Sequence, residues 1–126
     1  MEKTVLLYNF DGKRLQAVRK AVFPLKCEVR TVPKKDFSLP ISSLLGLDDK
    51  CNVGKQAHLD SFTEEMLVMY GFKGEMIDIL IAALKMGGVG KIELKAIVTE
   101  HNINWNSIKL YKEIKAEHDL IEKKTV

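Results

Sequence analysis

Cysteine is nearly absent. The 126 residues contain two, Cys27 and Cys51, 24 positions apart, too few for a disulfide scaffold or a four-thiolate metal site. Long apolar runs are also missing: nothing approaches the roughly 18–20 residues that a membrane span needs. The opening MEKTVLLYNFDGK has only Val5 to Leu7 as an apolar run and no cleavage-site pattern. No signal peptide is read there, and the cytoplasm is the expected compartment. Asp48, Asp49, Cys51 and His58 crowd one polar stretch, but their spacing matches no zinc or calcium pattern. The three histidines are scattered, and no serine, histidine and acid grouping stands out. No metal, cofactor or catalytic set is therefore expected, and a non-catalytic protein is favoured over an enzyme. What is present suits a soluble core. Hydrophobic residues make up 46% and charged residues 29%, which excludes disorder as the main state. The length predicts one domain.

The two halves resemble each other. Residues 5–22 align with 67–84 at an offset of 62, which sets Tyr8 on Tyr70, Phe10 on Phe72, Gly12 on Gly74 and Ala21 on Ala83. A three-residue insertion then shifts the offset to 65, so that residues 27–32 meet 92–97 and Ser42 meets Ser107. The same order of element types in both halves reads as internal duplication.

Each half reads strand, helix, strand, helix. Residues 4–10 and 66–72 are short apolar runs ended by Asp11-Gly12 and Lys73-Gly74. Residues 13–22 carry apolar side chains at helical spacing, and Pro24 stops that helix. Residues 75–86 form a second helix capped by Gly87-Gly88. Residues 27–32 and 91–99 are the second strands. Asn106 and Ser107 open a last helix, and residues 40–45 are its short counterpart. The domain is expected as two pseudo-repeats, about 1–46 and 64–126, joined by a linker at 47–63. Glu28, Arg30, Glu93 and Lys95 alternate along the second strands, so one face or an edge is wet. Parallel sheets are usually buried on both faces. The expected fold is therefore α/β, a ferredoxin-like four-stranded sheet with helices on one face and the first and third strands antiparallel at its centre. A small flavodoxin-like parallel sheet is the alternative.

KMGGVGK at 85–91 has the composition of a nucleotide-phosphate loop but the wrong order. A phosphate loop leads from a strand into a helix whose amides face the anion, with Ser or Thr after the lysine. Here the loop follows a helix, and Ile92 follows Lys91. It is read as a helix-to-strand connection. Charge is uneven. Residues 1–46 hold nine basic and four acidic groups, residues 63–126 nine and ten. Lys13, Arg14, Arg19 and Lys20 form a basic patch on the first helix that could track phosphates. Tyr8, Phe10, Tyr70 and Phe72 sit at strand ends and suit packing better than base stacking, so nucleic acid is disfavoured as a partner.

The helix 75–86 is apolar around roughly 220° of its circumference at 100° per residue, more than one sheet face needs. Intrachain packing and a second subunit are the two covers for it, the second making a homodimer. Thr99, Asn102, Asn104 and Trp105 fall between a strand end and a helix start, where unpaired amides favour an anion. They are the candidate ligand-binding residues. The competing reading makes Asn and Thr caps and Trp105, the one Trp, an anchor buried in the core.

Gly71-Phe72, Thr99-x-x-Asn102-x-x-Trp105, Leu110 and Glu117-His118 together resemble an uncharacterised domain-of-unknown-function family of clostridial-type Firmicutes. The family pattern has Thr-Pro-Thr-Asn where this chain has Thr99-Glu100-His101-Asn102. The resemblance covers residues 66–118 and implies a bacterial, cytoplasmic protein with no assigned activity. The expected role is a non-catalytic interaction or ligand-sensing module. A small-anion or nucleic-acid binder using the basic first half, and an enzyme with a site near Thr99–Trp105, are the alternatives.

Overall fold

A computed structural model describes residues 3–47 and 61–124. Asp48, Asp49, Cys51 and His58, with most of the linker read at 47–63, lie outside the described residues. Among the described residues, four strands and four helices follow one another: β1 (Thr4–Tyr8), α1 (Gly12–Val22), β2 (Glu28–Val32), α2 (Ile41–Leu44), β3 (Met66–Tyr70), α3 (Glu75–Met86), β4 (Leu94–Ile97) and α4 (Ser107–Lys124). Short 3-10 turns at Phe23–Leu25 and Lys34–Asp36 flank β2.

The strands form one open mixed sheet in the order β2-β1-β3-β4. β1 pairs parallel with β2, β3 pairs parallel with β4, and β1 runs antiparallel to β3. The first and third strands are central and antiparallel, as expected. The order is not ferredoxin-like, because α1 and α3 each connect two adjacent strands. A ferredoxin-like fold splits each strand–helix–strand unit and inserts another strand. The all-parallel alternative fails at the β1–β3 pair.

Helices cover both faces, not one. Val5, Leu7, Leu67 and Met69 pack with α1 and α3 residues such as Val18, Val22, Leu80 and Leu84. Leu6, Tyr8, Met66 and Val68 pack on the other side with Ile41, Ile108 and Leu110 of α2 and α4. The reason is in β1 and β3. TVLLY and MLVMY are apolar at almost every position, with every residue of β1 and the first four of β3 buried, and such runs need cover on both sides. Of the two readings of the alternating charges, a wet face or a wet edge, the edge holds: Glu28 and Arg30 are in β2, Lys95 is in β4 and Glu93 precedes it, and β2 and β4 are the outer strands. Val29 pairs with Val5 and packs toward α1, whereas Leu94, 65 positions later, pairs with Met66 on the α4 side. Lys95, 66 positions after Val29, stands beside Leu67. A slip of one position exchanges the two faces of a strand.

Local chemistry sets the element ends. The Asp11 side chain accepts from the Arg14 backbone N–H at 3.2 Å and caps α1, and Asn106 accepts from the Lys109 N–H at 2.8 Å and caps α4. The starts of α2 and α4 also bind each other. Ile41 N–H donates to the Trp105 carbonyl at 2.9 Å and Ser107 N–H to the Phe37 carbonyl at 3.1 Å.

Candidate functional site

The turn between β4 and α4 brings Thr99, Asn102 and Trp105 together. Thr99 N–H donates to Asn102 Oδ1 at 2.9 Å, Asn102 Nδ2 donates to the Ile97 carbonyl at 3.1 Å, and His101 N–H donates to Thr99 Oγ1 at 3.2 Å. Both polar side chains thus bond within the turn itself, and Asn104 is exposed. Trp105 packs against the α4-side core but is half-buried, not sealed in it. The Lys109 ammonium lies 4.7 Å from the centre of its ring, and the His101 ring meets it edge-on at 5.8 Å. The cap of α4 is Asn106, so Asn102 staples the turn instead.

The basic patch divides. Arg14 Nε and Nη2 donate to both carboxylate oxygens of Glu65, at 2.9 and 2.7 Å, and Nη1 donates to the Val89 carbonyl. That fork ties α1 to the start of β3 and to the loop after α3. The Glu65 hydrogen bonds hold the guanidinium even more firmly protonated than usual. Lys13, Arg19 and Lys20 are exposed. Lys13 and Lys20 border a shallow groove beside Gly87, whereas Arg19 faces the β2 edge.

A third place was not found from the sequence. Lys85, Lys91 and Lys95 meet over an apolar floor of Ile81, Leu84 and Ile92, in a cleft of about 430 Å³ between the end of α3 and β4. Each cation comes from a different element. Lys85 is in the last turn of α3, Lys91 in the connecting loop and Lys95 in the edge strand. Lys95 Nζ donates to the Ile92 carbonyl. Burial, and then the neighbouring charge of Lys91, pull the Lys95 ammonium below the usual lysine value, although Glu93 opposes them. Lys91 is exposed and lies 3.8 Å from Glu93. The last carbonyls of α3 are already taken. Gly87, Gly88 and Val89 N–H groups donate to Ala83, Lys85 and Leu84 carbonyls at 2.9, 3.2 and 3.1 Å. The loop runs from helix to strand, as the sequence order required of a connection rather than a phosphate cradle. Lys85 and Lys91, at its two ends, line the cleft. The legible signal was the coincidence of KMGGVGK, the over-apolar helix and a lone Lys at an inward position of β4. Only the pairing of β4 with β3 joins them.

Among the described residues, no group of three or more His, Cys, Asp or Glu could hold a metal ion, and no helix is long and apolar enough to cross a membrane. The span from β3 into α4 now has a counterpart among known families. Residues 65–121 match DUF3783, a domain of unknown function. The match covers a little under half of the chain and nearly the same span as the resemblance read from Thr99, Asn102 and Trp105. No curated protein and no solved structure matches the chain. The matched segment holds β3, α3, β4 and most of α4, and with them both the lysine cleft and the Thr99–Trp105 turn.

Proposed function

We propose that the protein is a non-catalytic binding module for a small amphiphilic anion, a phosphate or carboxylate carried on an aliphatic group. The observation that carries this reading is the cleft where three lysines stand over Ile81, Leu84 and Ile92. Ammonium groups attract an anion more strongly over a low-dielectric floor than in open water, and the floor accepts the alkyl part. The lining supplies charge to hold an anion. Among the described residues it includes no carboxylate, histidine, serine or cysteine to pair with the amines in acid–base chemistry. The test is a thermal-shift comparison of octyl phosphate, inorganic phosphate and octanol. Only octyl phosphate is expected to stabilise well, by about 2.7 kcal/mol at a hundred times its Kd, and Lys95→Met should abolish the shift. Equal shifts from inorganic phosphate, or none from any of the three, contradict it.

The same reading takes the chain as a duplicated βαβα unit. Leu6 stands opposite Val68, its counterpart at an offset of 62, and Pro40 bridges to Asn106, its counterpart at 66. Pairings of a residue with its own equivalent are what a two-fold axis between copies produces.

A second reading, a homodimer through the helix 75–86, rests on Ile79 and Met86, which are 50% and 88% exposed. They lie seven positions apart on one stripe. Glu75 and Asp78 at one end and Lys85 at the other suit an antiparallel pairing with a second copy. Sedimentation equilibrium should show mass rising toward the dimer with concentration, and Met86→Glu should hold the monomer.

A further inference from the structure

We propose a second anion site at the opposite edge of the sheet, in the cleft between the end of α1 and β2, fitted to an aryl phosphate. The proposal builds on the duplicated reading above but has its own cavity. Arg19, Val22, Phe23, Lys26, Cys27 and Val29 line a cleft of about 570 Å³. This is the counterpart of the lysine cleft. Arg19, Val22 and Phe23 precede Ile81, Leu84 and Lys85 by 62 positions, and Val29 precedes Lys95 by 66. Val29 stands beside Val5 as Lys95 stands beside Leu67. A helix end and an edge strand frame a cationic cleft twice.

The cations are kept but relocated. Phe23 and Val29 replace Lys85 and Lys95, while Arg19 occupies the place of Ile81 and Lys26 adds an ammonium at the turn. That exchange changes the preferred ligand. A guanidinium presents paired N–H groups to phosphate, which an ammonium cannot do. Phe23 is 74% exposed and offers a flat face on which an aromatic ring can stack, where the lysine cleft has aliphatic walls. Little negative charge competes nearby. Residues 12–26 carry Lys13, Arg14, Arg19, Lys20 and Lys26 and no acid. Glu28, next along β2, pairs with Thr4 and so lies on the other face, where Arg30 donates to its carboxylate.

The test uses the full chain with Cys51→Ser, so that Cys27 in the cleft is its one thiol. Alkylation by N-ethylmaleimide is timed with and without 1-naphthyl phosphate, and the heat of binding of the same probe is titrated. At ten times the probe's Kd, alkylation should slow about tenfold. Arg19→Gln should abolish both protection and heat, and Lys95→Met should leave both. Arg19 is exposed, so an unchanged melting curve verifies that its variant is folded. Absence of binding heat, or binding that survives Arg19→Gln, overturns the proposal. Binding lost in Lys95→Met and kept in Arg19→Gln also overturns it, and leaves the lysine-cleft function standing. Protection by 1-naphthyl phosphate in a chain that octyl phosphate fails to stabilise supports this site and contradicts the other.

Discussion

Tyr8 and Ser107 show how single residues join the two ends of the chain. The phenol at the end of β1 and the hydroxyl at the start of α4 lie 2.7 Å apart, fully buried and 99 positions apart in sequence. Burial pushes the Tyr8 phenol well above its usual value, only partly offset by Ser107, so the pair stays neutral. Tyr8→Phe leaves the Ser107 hydroxyl buried without this partner and should cost about 1–3 kcal/mol, a large share of a total near 5–15 kcal/mol. Ser107→Ala should cost a similar amount. The double variant should lose less than the sum, because both members of the pair leave together. Urea midpoints of the four proteins decide it, and strict additivity would show the bond to be unimportant. Sequence reading placed Ser107 correctly at the opening of a helix, since capping chemistry is local. It could not see the Tyr8 partner, which depends on tertiary packing. It offered Trp105 as a ligand contact or, in the competing reading, as a buried anchor; Trp105 is half-buried, and Ile108 and Leu110 are the buried residues of that helix start.

Gly87 plays the corresponding part between elements. Its backbone, at φ −81° and ψ 3°, is open to any residue, so conformation does not demand glycine there. Proximity does. A Cβ at Gly87 would stand 2.7 Å from the Cβ of Ala21 and 3.2 Å from the Ala83 carbonyl oxygen, so α1 and α3 can approach only with glycine at this point. Gly87→Ala should cost about 1–3 kcal/mol by overpacking. Ala21→Gly, which alone costs about 0.5–1 kcal/mol in a helix, should relieve part of that cost in the double variant. Chemical denaturation of the set checks this; a double variant as unstable as the sum would locate the strain elsewhere. At this scale the sequence was informative about which segments are strands and helices, because apolar period and turn residues are local signals. It misled about faces. The charges at 28–30 and 93–95 left a wet face and a wet edge both open, and of the two the structure shows edges, with β2 and β4 outermost; the step to helices on one face is what failed. Lys95 was counted among the charges of a wet face or edge, whereas it lines the cleft beside α3.

For the whole molecule, the strand order follows from how each half closes. A helix that returns to the neighbouring strand gives β2-β1 and β3-β4 pairs, and joining them antiparallel through β1 and β3 leaves two edges, each with a cationic cleft on the α1/α3 side. The strand–helix alternation was legible in the sequence; the choice between adjacent and split pairing was not, since it depends on contacts between segments far apart in the chain. The candidate residues Thr99 to Trp105 were legible as a turn before a helix. Their side chains largely serve that turn, and the concentration of positive charge over apolar surface lies on the opposite side of β4. The direct measurement is an amide-proton NMR titration of the full chain with octyl phosphate. The expected result is saturable shifts concentrated at Ile81, Lys85, Lys91, Ile92 and Lys95, lost in Lys95→Met and far smaller with inorganic phosphate. Shifts centred instead on Thr99 to Trp105, or spread evenly over the basic residues without saturation, would contradict an amphiphilic-anion site between α3 and β4.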